Sequence, residues 1–288
     1  GRIPAFAEGV VNRATEGKRR LRKATESKRT VIKVPFLARW CLLWLSLVFF
    51  SSSVAGAFSL TELDLGEGCG VADSARVEIL KALAAATSVD PDMAGKKIKL
   101  SDPALFEEPF VVLSCSKAPG ALDYDEARNL RLYLSAGGTL FANDPSGLRK
   151  SPFALWLARA LASALPDSAL KPAAREHPLF KSFFMSVSPG GRFDLEREPS
   201  AAEYGGRYAV IFSRNDLLGV WPRDALGRWL YEPSPGGARQ RREGEKLTLN
   251  ILIYALTGSY KQDAVHQPFI MQRLRELDAL PVPPKGAR

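Results

Sequence analysis

Acyl-transfer chemistry needs a thiol or hydroxyl, a base beside it and a turn that exposes it, and this 288-residue chain offers few residues that qualify. Cys115, in "LSCSK", ends an apolar run, and the only histidines are His177 and His266. The strained strand-to-helix elbow that presents such a nucleophile depends on flanking glycines, and Cys115 has none. The sequence therefore favours a buried Cys115 over a catalytic one. His177, in "EHPLF", is followed by proline and apolar residues and reads as a packing or hydrogen-bonding loop residue. Three cysteines and two histidines do not make a zinc site, so neither metal nor cofactor is expected.

Carboxylates are the other chemical resource. Asp144 and Asp216 are placed to hold a cation or a sugar hydroxyl, with Trp221 as a stacking face. The plainer alternatives are preferred: Asp216 as the cap of the "DLLG" turn and Trp221 as core. "GEGCGVAD" (66–73) opens a helix after a strand, as dinucleotide loops do. It lacks the third glycine, however, and Glu67 would repel phosphate, so it reads as a tight turn.

The elements that must position these residues follow from periodicity. Strands are expected at 58–65, 97–100, 109–116, 139–144 and 207–213. Helices are expected at 74–87 (capped by Asp73), 121–138, 151–165 (capped by Ser151, with Pro152 first), 246–256 (stopped by Gly258) and 268–277. Residues 166–206 read as loop-rich. Residues 222–244 read as a surface loop whose Arg239, Arg241 and Arg242 form a mobile charged surface. Alternating strands and helices predict an α/β fold, an open doubly wound, mostly parallel sheet of flavodoxin-like type. Ligands in such sheets sit beyond the carboxyl ends of the strands. That rule nominates Gly66–Gly70, Ser114–Ser116, Asn143 and Asp144, and the segment from Ser213 through Asn215 to Asp216. Cys69 and Cys115 both follow strands of that sheet and are expected near each other. They form either a disulfide or two separate buried thiols, the latter preferred because bridging needs Cα atoms within about 7 Å.

Charge is unevenly placed. Residues 1–57 hold 11 Lys/Arg and 3 Asp/Glu, leaving 29 against 28 for the rest, so the +9 net charge belongs to the leader. A nucleic-acid partner loses its support accordingly. Basic residues, the apolar run "WCLLWLSLVFF" (40–50) and Ala55-Gly56-Ala57 form a signal peptide (31–57) with cleavage expected before Phe58. An uncleaved anchor is the alternative, since residues 40–60 carry no charge. Residues 1–30 are expected to be upstream read-through, with translation starting near Val31 or Val34. The expected organisation is thus a leader (1–57), one α/β domain (58–280) and a Pro-rich tail (281–288), exported to the periplasm or the outer face of the inner membrane.

"DPALFEEPFVVLSC" (102–115), "LRLYLSAGGTLFAND" (130–144), "HPLF" (177–180), "GRYAVIFSRNDLLGVW" (206–221) and "LNILIYALTGSYKQDAVHQP" (249–268) together resemble the bacterial family called domain of unknown function 4159. The resemblance implies a fold like class I glutamine amidotransferases, with no established activity. It also implies an envelope assembly context beside MoxR-type ATPases and von Willebrand A-domain membrane proteins. Two departures stand out: Asn143-Asp144 replaces a paired acidic motif, and Cys115 stands where glycine is frequent. The family's closing polar segment corresponds here to "SYKQDAVH" (259–266). Lys261 there complements a helix C-terminus, and Asp263 and His266 lie three apart. A helix-docking cap is the preferred reading, and a polar patch rimming a site is the other. The expected function is a non-catalytic binding or assembly module. An amidotransferase-like hydrolase with its site at the strand ends is the alternative.

Overall fold

The computed structural model describes residues 58–185 and 190–278, with side chains through Gly258. The leader, its cleavage site and residues 281–288 lie outside the described residues, as do the side chains of Lys261, Asp263 and His266.

Among the described residues seven strands form one sheet: β1 (Phe58–Leu63), β2 (Pro91–Ile98), β3 (Phe110–Ser114), β4 (Thr139–Asn143), β5 (Lys171–Pro172), β6 (Ser200–Tyr204) and β7 (Arg207–Ser213). Their order is β2-β1-β3-β4-β7-β6-β5. The first five are parallel neighbours and the last two add antiparallel edges. Four α-helices, α1 (Asp73–Ala86), α2 (Tyr124–Ser135), α3 (Pro152–Ala164) and α4 (Gly237–Asp278), and three short 3-10 turns complete the described elements. The fold is the expected doubly wound, three-layer flavodoxin-like sandwich.

Strand composition explains the layers. Successive side chains point to opposite faces, so a central parallel strand buried on both must be apolar throughout. In β3, Phe110 and Val112 join the core under α1 and α4, whereas Val111 and Leu113 join the core under α2 and α3. Phe141 of β4 and Ile211 of β7 enter the first core; Leu140, Ala142, Val210 and Phe212 enter the second. Truncating a residue such as Phe141 would cost about 3–5 kcal/mol.

Local chemistry starts the helices. At α2, Asp123 accepts from Glu126 N and the Glu126 carboxylate accepts from Asp123 N, a complete capping box. At α3, Ser151 Oγ accepts from the N–H groups of Phe153 and Ala154. For α1 the expected cap is corrected: the N-cap is Ala72, without a side-chain bond, because Asp73 lies inside the helix and pairs with Arg76 at 2.7 Å.

Three further expectations are corrected. The segment 166–206 contains β5 and β6, and a two-residue Gly205-Gly206 turn joins β6 to β7, with φ of +59° and +76°. A hairpin turn of this kind demands left-handed backbone at both residues, which only glycine adopts without cost. The expected surface loop is shorter, because α4 begins at Gly237, and Arg241 is 3% exposed rather than mobile. Its guanidinium donates to Val220 O at 2.5 Å and to Tyr231 O. Finally, α4 runs through Gly258 in one piece. Glycine in a helix costs only about 1 kcal/mol relative to alanine and stops it only in the left-handed conformation, which Gly258 does not adopt.

Candidate ligand cleft at the strand ends

The topology creates a switch point between β1 and β3, where the chain leaves in opposite directions along the sheet. A cleft of about 210 Å³ opens at this end. Its lining includes Gly70, Ala72 and Ala75 from the start of α1, Ser114 from the end of β3, Arg192, and Asp216 beyond β7.

Asp216 is the hub. It is 1% exposed and has a φ of +53°. Its Oδ1 accepts from Asn143 Nδ2 at 2.8 Å and from Gly219 N at 3.0 Å, while Oδ2 accepts from Arg192 Nε at 2.5 Å. Burial pushes the Asp216 carboxyl above the usual range; the Asn143 hydrogen bond and the Arg192 charge act against that rise. Asn143 is satisfied on every side, because its Nδ2 also donates to Ser114 Oγ at 3.0 Å and its Oδ1 accepts from Leu218 N at 3.3 Å.

The remaining nominated residues divide between architecture and surface. Asn215 organises the loop before β6: its Oδ1 accepts from the N–H groups of Leu195 and Glu196, and its Nδ2 donates to Glu196 O. Asp144 is 1% exposed; Oδ1 accepts from Ser146 N and Oδ2 meets no partner among the described residues. Trp221 is 4% exposed, and its Nε1 donates to Thr248 Oγ1, so its ring is core rather than a stacking face. His177 caps a 3-10 turn, where Nδ1 accepts from Leu179 N, and stacks on Tyr208 with ring centroids 3.7 Å apart. Burial lowers its pKa, with Glu203 opposing.

Cys115 is joined to Cys69 by a disulfide, with Cα atoms 4.0 Å apart. The bond is reinforced by Gly70 N donating to Ser114 O and Ser116 N donating to Gly68 O. A bonded sulfur is not a thiolate, and nucleophilic chemistry at Cys115 requires the bond first to be broken.

Sequence reasoning missed Arg192, Glu196 and Arg214. Arg214 Nε donates to Glu196 Oε2 at 3.0 Å, and burial raises the Glu196 carboxyl above its usual value against those bonds. The available signal was Gly190-Gly191 ahead of Arg192. Gly191 has a φ of +113°, and a Cβ there would lie 2.3 Å from Asn215 O. Only glycine lets this loop approach the end of β7 closely enough to bring Arg192 to Asp216.

Sheet order and cleft together define a flavodoxin-like α/β protein with a polar crevice at its switch point. Residues 61–256 match the family described as domain of unknown function (DUF4159), more than half of the chain, and the protein belongs to that family. No curated protein matches it.

Proposed function

We propose that the protein is an exported, non-catalytic module of envelope assembly that acts by holding a partner protein. The observation that carries this reading is the state of Cys115: the best-placed nucleophile is in a disulfide, and Asn143 nearby is committed to Ser114 and Asp216. Among the described residues His177 is the one histidine with a described side chain, and it serves a turn and an aromatic stack.

A binding role asks for a rigid platform and an exposed feature, and the arm between β7 and α4 supplies one. Arg223 ties it to α1 through Glu78 at 3.1 Å and lies 3.5 Å from the centroid of Trp229. Arg241 lies over the same ring at 4.3 Å. On this pinned arm Leu226 is 76% exposed and Leu230 50%. Exposed apolar side chains on an ordered protrusion suit a protein contact. The von Willebrand A-domain membrane proteins and MoxR-type ATPases associated with the family provide the partner classes.

Co-purification of the full chain from the membrane fraction tests the proposal. Wild type should recover the von Willebrand A-domain protein, and Leu226→Asp/Leu230→Asp should lose it with an unchanged unfolding midpoint, as expected of surface substitutions. Undiminished recovery by that variant would overturn the proposal.

A further inference from the structure

We propose that the strand-end cleft binds a small phosphoryl anion, inorganic phosphate or a phosphomonoester headgroup, held by the Arg192 guanidinium, the Ser114 hydroxyl and the first backbone N–H groups of α1. The proposal is independent of the assembly role: the cleft shares Pro222 and Tyr231 with the arm but not its exposed leucines, Leu226 and Leu230.

Arg192 is set in advance. Its Nε donates to Asp216 and its Nη2 to Pro145 O at 2.6 Å, which fixes the plane of the guanidinium. The carbon at its centre lies 4.4 Å from the Phe193 ring centroid and 4.7 Å from that of Tyr231. Its Nη1 has no acceptor among the described residues, so one edge of an already ordered fork is left for a ligand. A side chain held in its binding geometry loses little further freedom on binding, and a planar fork suits an oxyanion.

Ser114 supplies a second donor. It is 6% exposed and lines the cleft, and its Oγ already accepts from Asn143 Nδ2. Its hydroxyl hydrogen has no acceptor among the described residues. A hydroxyl has one hydrogen to give, and here it remains unspent. The third set of donors is the backbone. Ala72 caps α1 without a side-chain bond, and the N–H groups of Asp73, Ser74 and Ala75 meet no acceptor among the described residues. Ala72 and Ala75 both line the cleft.

Asp216, the carboxylate that lines the cleft, has both oxygens engaged by Asn143, Gly219 and Arg192, and so has Glu62 behind the turn into α1, by Val71 N and Arg76. With those carboxylates engaged, the unspent hydrogens of Arg192 and Ser114 favour an acceptor-rich ligand, and the Tyr231 hydroxyl in the same lining can donate to it as well. Arg192, Ser114 and, at the start of α1, Ala72 and Ala75 border the same cleft from different sides. That arrangement matches the oxygens of a tetrahedral phosphoryl group better than the two oxygens of a planar carboxylate. Size sets the other bound, because about 210 Å³ is below the roughly 300–1,000 Å³ of drug-sized ligand pockets. A dinucleotide or flavin is too large. Glu67, which counts against a dinucleotide loop, does not line the cleft.

Calorimetric titration of the full chain with inorganic phosphate, glycerol phosphate and acetate tests the site. Both phosphates should bind, with acetate at least ten-fold weaker. Tighter glycerol phosphate identifies a headgroup as the source and tighter inorganic phosphate identifies the free ion; either supports the site. Ser114→Ala should weaken phosphate binding at least ten-fold; it also leaves one buried Asn143 N–H without its acceptor, so the unfolding midpoint falls while the protein stays folded at the assay temperature. Because Arg192→Met alone would strand a buried Asp216 charge, it is paired with Asp216→Asn, and this double variant should also lose at least ten-fold. The proposal is overturned if neither phosphate binds, if acetate binds equally, or if both variants bind as wild type does. Failure here with the partner still recovered leaves the assembly reading standing, and the converse result leaves this site standing.

Discussion

Reducing the Cys69–Cys115 disulfide should destabilise the protein by an amount set by the loop it closes. The two cysteines are 46 residues apart. Constraining a loop of that length removes roughly 13 cal/mol/K from the unfolded chain, or about 4 kcal/mol at 25 °C. The backbone bonds from Gly70 N and Ser116 N hold the same turn against β3, so the reduced protein retains a native fold and the loss acts through the unfolded state. For a body of this size each kcal/mol corresponds to about 2–4 °C, giving a fall in melting temperature of roughly 8–16 °C. Urea unfolding of the full chain, with and without reductant, measures the difference. Cys69→Ala/Cys115→Ala should lose about 1 kcal/mol more, because Cys115 is fully buried among Leu113, Val111 and their neighbours and truncation leaves a void. Thiol labelling of unfolded, unreduced protein should leave Cys69 and Cys115 unmodified. A change below about 1 kcal/mol on reduction would refute the loop-closure reasoning, and labelling of both cysteines without reductant would refute the bond itself.

Gly191→Ala should destabilise by about 2 kcal/mol or more, since a left-handed residue gains a Cβ 2.3 Å from Asn215 O; thermal unfolding checks this, and a neutral result would mean the loop shifts freely. Arg241→Ala should cost about 2–4 kcal/mol by leaving Val220 O and Tyr231 O without a donor, and limited proteolysis should then cut within 222–231; a solvated arginine would instead give a change within about 0.5 kcal/mol. His177 has a lowered folded pKa, so the unfolded chain takes up that proton first on acidification. Its contribution is complete above about pH 6.5 and is lost as pH falls toward the folded value, so His177→Phe should flatten the unfolding midpoint across that window relative to wild type; parallel pH curves would count against the assignment. Asp216 and Glu196, with raised pKa values, contribute the opposite slope, beginning near about pH 4, in both proteins.

The parallel half of the fold was legible because its strands are short continuous apolar runs and two of its helices carry local starting signals, Asp123 and Ser151. What escaped was either nonlocal or dependent on neighbours. Strand β2 begins at Pro91 with exposed polar residues, and as an edge strand it needs no apolar run. The Gly205-Gly206 pair was a readable hairpin signal, and it marks the antiparallel extension that strict strand–helix alternation omits. Arg241 could not be read as buried, since a guanidinium enters a core only where carbonyls converge, and Val220 and Tyr231 converge on it through tertiary packing. At the site, the strand-end rule nominated Ser114, Asn143 and Asp216. Arg192 joins them across 24 residues through a loop whose only sequence mark is a pair of glycines.

Stability alone gives no reason for the Arg192–Asp216 pair. Buried ion pairs are commonly neutral or unfavourable relative to apolar residues of similar shape, because desolvation offsets the attraction. Asp216 adds the cost of left-handed backbone, about 1 kcal/mol for a residue that tolerates it better than most. Gly191 must remain without a side chain so that the Arg192 loop can close, and the disulfide fixes the turn leading into α1. Arg192 and Asp216 line one cleft, and Gly191, Cys69 and Cys115 each adjoin one of its lining residues in sequence, namely Arg192, Gly70 and Ser114. Small-anion recognition demands such rigidity, since a donor displaced by about 1 Å no longer makes a short hydrogen bond. A site that only needed covering would have been served by the leucines and phenylalanines that fill the rest of the molecule.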